Sequence, residues 1–263
     1  MEGSGPEFAF LAPEWADEAP STNDILKQRL ASPAPPPLGT VFAVRRQTKG
    51  KGRLGNVWQS AVAGDLTFSF VWKGTLPLEE AGTLPLACGL AVRDFLADLG
   101  ISAACKWPND VFVGNAKICG ILIEGGTNPD GLTLVAGIGV NVRNQPERDA
   151  ALGRSIASIE KCLGRVEKPE TFLPALLLCL EKRITAWQRD GFAAVRSDME
   201  QALWGRGKAV KARTPSGTVE GIVAGLGERG ELLVRNNDMQ LIRIASVAAL
   251  DDVYAGNQSG NTI

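Results

Sequence analysis

Residues Ala104–Gly126, ACKWPNDVFVGNAKICGILIEGG, carry apolar runs interrupted by two turn signals. The first run ends at Lys106. Pro108 holds Trp107 in extended backbone, and Pro108–Asp110 reads as a turn. Gly114–Asn115 predicts a hairpin between the next two runs. Just downstream, LTLVAGIGVNV (Leu132–Val142) reads as a further strand, apolar enough to sit in the middle of a sheet. Strands joined this tightly, with no helix between them, do not follow regular βαβ alternation. The expected class is α+β, with a mixed or antiparallel sheet.

The flanking sequence extends that sheet. TVFAVRRQ (Thr40–Gln47) and LTFSFVW (Leu66–Trp72) are predicted strands, rich in β-branched and aromatic residues. LPLACGLAVRDFLADLG (Leu84–Gly100) has the apolar spacing of a core helix ended by Gly100. STNDILKQRL (Ser21–Leu30) predicts a short helix capped by Ser21 or Thr22, with Asp24 in its first turn. SPAPPP (Ser32–Pro37) stops it. Residues 1–20 read as an irregular lead-in, and 170–203 as helical. From Lys208 to Leu250 the composition shifts to short strands separated by Pro-Ser-Gly, Gly-Glu-Arg-Gly and Asn-Asn-Asp turns. That pattern predicts a small C-terminal β-barrel of the SH3-like kind. The expected domains are 1–204 and 205–254, followed by a disordered tail over 255–263.

Composition narrows the chemistry. The 263 residues are 44% hydrophobic, enough for one main domain and a small second one, and the net charge is −1. A basic duplex-binding surface is not expected. There is no histidine, which removes Ser-His-Asp and Cys-His nucleophile activation and His-based metal sites. A reaction that depends on charge stabilisation and positioning fits better. Five scattered cysteines without a CxxC predict reduced, mostly buried thiols. Glu2 and Glu7 stand where a signal peptide needs positive charge, and no apolar run is long enough to span a bilayer. A cytoplasmic protein is expected.

The stretch RRQTKGKGRLGNVWQS (Arg45–Ser60) contains G-x-G-x-x-G at Gly50, Gly52 and Gly55. A dinucleotide site needs a helix directly afterwards, and NVWQSAVAGD lacks an amphipathic run. A kinase needs H-R-D and D-F-G, and neither is present. Two readings remain: a mobile loop that wraps an anion with Lys49, Lys51, Arg53 and a stacking Trp58, or a solvated turn between strands. KWPND is similarly two-sided. Lys106, Asn109 and Asp110 around a rigid turn, with Lys117 beside the next strand, suit an anionic ligand. Asn-Asp is equally common turn chemistry.

Taken in order, STND, QTKGKGRLGNVWQS, KWPND…KICGILIE and GIGVNV resemble the biotin protein ligases from about Ser21 to Val142, and the likeness continues through the C-terminal strands. The resemblance implies a class II synthetase-like catalytic domain with an SH3-like domain after it. It implies an enzyme that uses ATP and Mg2+ to convert biotin to biotinyl-5′-AMP, then transfers biotin to a lysine of a biotin carboxyl carrier protein or domain. On this basis Ser21, Thr22, Asn23 and Gln47 line the biotin pocket, and Gly50, Lys51, Gly52 and Arg53 form a loop that orders over biotin and the adenylate. Arg53 helps to retain the intermediate. Trp58 packs near the adenine or the pocket wall. Lys106, Asn109 and Asp110 serve the nucleotide and its phosphates, with Asp110 the candidate Mg2+ ligand. Lys117 lies beside the biotin carboxylate and the α-phosphate, and Asn141 near the adenine.

The family's loop is commonly richer in arginine. Lys51, Leu54 and Asn56 replace three of those arginines, and lysine has no bidentate fork, so a weaker hold on the adenylate is expected. Two other readings share these residues: a lipoate-type acyl-adenylate ligase, and a non-catalytic biotin- or nucleotide-binding relative. No DNA-binding segment is expected ahead of Ser21, and an exposed sheet edge offers a route to a homodimer.

Overall fold

The computed structural model describes residues 8–59, 64–146, 156–165 and 167–252. Its main body is a seven-stranded mixed sheet in the order β1-β2-β3-β7-β6-β5-β4. The strands are β1 (Glu14–Ala19), β2 (Val41–Gln47), β3 (Leu66–Gly74), β4 (Ala104–Lys106), β5 (Asp110–Val113), β6 (Ala116–Asn128) and β7 (Gly131–Val140). The stretch from Ala104 to Gly126 folds as its turns predict: β4, β5 and β6 are consecutive antiparallel neighbours. β7 takes the central position. β1 pairs parallel to β2.

Alternation along the strands divides the sheet into two unlike faces. Phe68, Phe70 and Trp72 of β3 and Leu134, Ala136 and Ile138 of β7 point into the large core. That face is covered by α3 (Leu84–Asp98) and α5 (Leu173–Asp190). Trp72 and Trp187 meet edge to face at 5.0 Å, and Trp187 Nε1 donates to Thr83 Oγ1 at 2.8 Å. The opposite face carries Thr67, Ser69, Gly137 and Gly139 from the same two strands. Only its end beneath α1 (Thr22–Leu30) is apolar, where Leu26 packs on Phe42, Val44, Val71 and Val135. Among the described residues, the rest of that face lies beneath the loop that carries Trp58 and lines a cavity.

Two expectations are corrected. The lead-in is not irregular throughout: Glu14–Ala19 forms edge strand β1, and Phe8 is fully buried. The strand escapes a hydrophobic reading because its outward residues are acidic. Glu14, Asp17 and Glu18 pair with Arg29, Arg45 and Arg46. The helical region 170–203 is also broken in two. Gly191 adopts φ +63 between α5 and α6 (Ala193–Gln201), a conformation that favours glycine. Glu80, at the end of the short helix α2 (Leu78–Ala81), holds this corner by accepting the Phe192 amide at 3.0 Å. The helix α4 (Ile159–Leu163) lies between the sheet and α5 in sequence. The tail read over 255–263 lies outside the described residues.

The C-terminal strands form a five-stranded antiparallel sheet in the order β11-β10-β9-β8-β12. They are β8 (Ala209–Thr214), β9 (Gly217–Leu226), β10 (Leu232–Arg235), β11 (Leu241–Ile244) and β12 (Ala249–Asp252). This is the predicted SH3-like unit, and it is joined to the main body through the core. The linker runs beside edge strand β4: the Cys105 amide donates to Ala202 O, and the Trp204 amide to Cys105 O. Across the same seam Trp107 Nε1 donates to Gly230 O at 2.8 Å. Trp107→Phe keeps an aromatic ring but removes the donor and part of the buried indole, leaving the Gly230 carbonyl without its partner. We expect a loss of about 2–4 kcal/mol in urea unfolding, the sum of an unsatisfied buried acceptor and a small cavity.

Candidate functional site

A cavity of about 570 Å3 opens on the sparsely covered face of the sheet. Its floor is carved by absent side chains. Gly120 of β6 pairs directly with Gly139 of β7, and Gly139 in turn lies opposite Thr67 of β3. Gly137, two residues before Gly139, shares that face. A β-carbon on Gly137 would overlap the Asn23 amide, and one on Gly139 would overlap the Trp58 indole. One on Gly120 would meet both Trp58 and the Lys117 ammonium at 2.9 Å. These glycines create the space that the ring and the amide occupy.

The polar end of the cavity comes from the start of α1. Ser21 caps the helix, accepting the Asp24 amide, and this fixes Thr22 and Asn23 over the floor. Gln47 Oε1 accepts the Thr22 amide at 2.8 Å. Ser69 Oγ lies 2.6 Å from both Thr22 Oγ1 and Asn23 Oδ1. Asn23 Nδ2 donates to Glu124 at 2.8 Å and to the Leu122 carbonyl. All four expected biotin-pocket residues outside the loop line this cavity. Their side chains are preorganised by one another rather than free in solvent.

The glycine loop folds back as a small hairpin. Lys51 bridges Val57, the Gly52 amide donates to Asn56 O at 2.7 Å, and the Trp58 amide donates to Gly50 O at 3.0 Å. Gly50 therefore does not line the cavity; it forms the stem of the lid, where a β-carbon would strike the Trp58 carbonyl. Lys51, Gly52, Arg53 and Trp58 do line it. Leu54 stands exposed at the tip with φ +54. Arg53 Nη1 donates to Asn109 Oδ1 at 3.4 Å. Burial lowers the Arg53 pKa, and the nearby Asp110 charge opposes that shift.

The KWPND turn forms the opposite wall. Asn109 Nδ2 donates to Ile121 O at 2.7 Å, pinning the turn to β6. Asp110 Oδ1 and Lys117 Nζ lie 2.7 Å apart, half-buried, as an ion pair whose angle falls short of hydrogen-bond alignment. The same ammonium sits 5.5 Å from the Trp58 ring centroid. Trp58 Nε1 is buried and has no protein acceptor. The Lys106 ammonium lies over Phe112 at 4.6 Å and over Trp204 of the linker at 4.5 Å. Lys106 thus lines the cavity from an aromatic clamp shared between β5 and the linker.

Asn141 stands apart from the cavity. It is buried, and its Nδ2 donates to Lys117 O and Ala157 O, both at 3.1 Å. These bonds place it behind Lys117, where it braces that strand end. Among the described residues no group of three His, Cys, Asp or Glu could hold a metal ion. Asp110 is one carboxylate facing Lys117, so it fits Mg2+ only as a partner to ligand phosphates, the mode in which this ion is usually bound. Cys119, next to the site, is fully buried, and burial pushes its thiol well above the ordinary range, which disfavours the nucleophilic thiolate.

Several site residues escape a reading of the sequence. Ser69 is the polar interruption in LTFSFVW, a visible signal without a partner to interpret it. Gly120, Gly137 and Gly139 stand in quoted motifs, but their effect depends on cross-strand register. Val247–Asp251 of the C-terminal unit also line the cavity, and nothing in their residue types marks them.

Known proteins share this fold. The model of the biotin/lipoate A/B protein ligase family matches residues 15–141, and that of the biotin protein ligase C terminal domain matches 206–246. The biotin--[acetyl-CoA-carboxylase] ligase of Mycobacterium tuberculosis is 32% identical over 220 residues, covering 81% of this chain and 79% of that one. The bifunctional ligase/repressor BirA of Bacillus subtilis is 31% identical over 205 residues, and the match takes in 77% of this chain and 63% of that one's length. A solved biotin protein ligase from Aquifex aeolicus, in complex with biotin and ATP, superposes with a TM-score of 0.77 at 29% identity, covering 92% of this chain and all of that one. With this fold, both motif regions and a relative of this extent, the chain belongs to the biotin/lipoate A/B protein ligase family.

Proposed function

We propose that this protein activates biotin with ATP and transfers it to the lysine of a biotin carboxyl carrier domain. The observation that carries the reading is convergence. STND, the glycine loop, KWPND and Lys117 are separated in sequence, yet they surround one cavity of ligand size. In the first step a biotin carboxylate oxygen attacks the α-phosphorus of ATP, the bond to the β-phosphate breaks, and pyrophosphate leaves. In the second, the neutral ε-amine of the acceptor lysine attacks the acyl carbon of biotinyl-5′-AMP. AMP leaves, and the amine's proton passes to a base, a role for which Asp110 is the candidate.

The first step forces a carboxylate against a triphosphate. Lys117 and Arg53 supply positive charge from opposite walls, with Lys106 further along the nucleotide side. Mg2+ brought in with ATP neutralises phosphate charge, and Asp110 is the residue that would share it. Thr22, Asn23 and Gln47 form a fixed polar end for the ureido head, and Trp58 covers the reacting region. A hairpin lid also keeps water from the mixed anhydride. No enzyme nucleophile is required, so the absence of histidine costs nothing.

The catalytic unit is proposed to run from residue 1 to 204, with the SH3-like unit over 205–254 supplying one wall of the cavity. Five unpaired cysteines suit a reducing cytoplasm. Among the described residues no helix is long and apolar enough to cross a membrane. Any pairing of two copies through the sheet is assigned to the outer edge of β1, because the β4 edge is closed by the linker.

Biotin-dependent ATP–pyrophosphate exchange tests the reading directly, with lipoate as the competing acid. Exchange with biotin is expected, and Lys117→Ala should lower kcat/KM by roughly 10²–10³-fold, the size typical of one lost electrostatic stabiliser. No exchange with either acid would remove the enzyme reading, and exchange with lipoate alone would reassign the substrate. A second measurement concerns the lid tip. Leu54→Arg adds a cation at an exposed position that arginine occupies in the family's usual loop, so stopped-flow release of biotinyl-5′-AMP should slow severalfold.

A further inference from the structure

One lid cation is engaged away from the Lys117–Asp110 pair. Lys51 Nζ lies 2.7 Å from Asp24 Oδ2 and 2.9 Å from Oδ1, so the lid is tied to the first turn of α1. Asp24 also pairs with Lys27 at 3.2 Å. Lys27 pairs with Glu124 of β6, and Glu124 Oε2 accepts Asn23 Nδ2 at 2.8 Å. A continuous chain of charges therefore runs from the lid, over the rim, to the amide that stands on the glycine floor. Burial pushes the Asp24 pKa up, but the Lys51 and Lys27 ammonium groups outweigh it and hold the carboxyl below its ordinary value. The Asp24 carboxylate is thus charged at neutral pH.

The lid's internal bonding makes this single contact consequential. The hairpin is closed by the Lys51–Val57 bridge, by the Gly52 amide on Asn56 O, and by Asn56 Nδ2 on Arg53 O at 2.9 Å. Arg53 and Trp58 are carried on the same hairpin, so whatever anchors Lys51 fixes the register of both above the floor. Both partners are partly exposed, with side-chain accessibilities of 49% and 35%. Such a pair is weak, which suits a closure that must open every turnover.

We propose that Lys51 and Asp24 form a latch that holds the lid over the cavity and sets the rate at which the enclosed intermediate escapes. Both are positioning residues; neither is assigned contact with the reacting atoms. The consequence for release rests on the ligase reading, whereas the latch itself does not. It also gives Lys51 a specific role. Where an arginine-rich loop would use a guanidinium, this chain uses a lysine and an acidic residue on α1.

The full chain without ligand is exposed to an arginine-specific protease, and cutting after Arg53 is followed by mass spectrometry. Asp24→Asn and Lys51→Gln should each raise the cutting rate about two- to fivefold, the size a partly exposed ion pair supports. The double substitution should add nothing further, and Lys51→Arg should stay near the parent. Stopped-flow release of biotinyl-5′-AMP should follow the same order, with kcat for pyrophosphate exchange changing less than release. Unchanged cutting in both single variants, or additive effects in the double, would overturn the latch. The cutting assay uses no ligand. A chain that shows no biotin-dependent exchange would therefore lose the ligase reading, while the latch would still stand or fall on the cutting rates.

Discussion

The site depends on a register. Gly120 of β6 lies directly opposite Gly139 of β7, and Gly137 shares their face. Three missing side chains on one side of a sheet leave a hollow, while the other side of the same strands is filled with Leu134, Ala136 and Ile138. A shift of one residue in either pairing would put apolar side chains into the hollow and glycines into the core. The large core therefore enforces the cavity, because its burial allows only one register. Trp58, Asn23 and Lys117 then find places defined by what the floor lacks.

Much of this was legible from sequence, because the strongest signals are local. Ser21 before a helical run, the turn at Pro108–Asp110, and Gly114–Asn115 between apolar runs each specify a conformation within a few residues. The motifs converge in space: twelve of the fourteen residues assigned through the resemblance line one cavity, while Gly50 and Asn141 do not, nor does Lys49 of the glycine loop. What escaped was non-local. β1 reads as charged lead-in because an edge strand with arginine partners needs little hydrophobic alternation. The kink at Gly191 depends on Glu80, more than a hundred positions earlier. Ser69 matters only because Thr22 and Asn23 arrive above it.

Charge is arranged around the hollow in two tiers. Lys117 with Asp110, and Arg53 with Asn109, face the interior, where partial burial strengthens each contact. Lys51, Asp24, Lys27 and Glu124 run along the rim, where water weakens them. The inner tier suits the stabilisation of an anionic ligand and the outer tier suits motion. A net charge of −1 over the whole chain conceals this local concentration of cations.

The linker from Ala202 to Trp204 has a bearing on how the molecule can be divided. Its backbone occupies the hydrogen-bonding edge of β4, and its tryptophan clamps Lys106. A cut placed before it would not separate two finished modules. It would uncover an unpaired strand beside the nucleotide wall, a surface prone to join the strand of another molecule. The linker thus serves as a plug for the larger sheet and works as part of it, while the small C-terminal unit beyond Trp204 contributes a wall of the cavity.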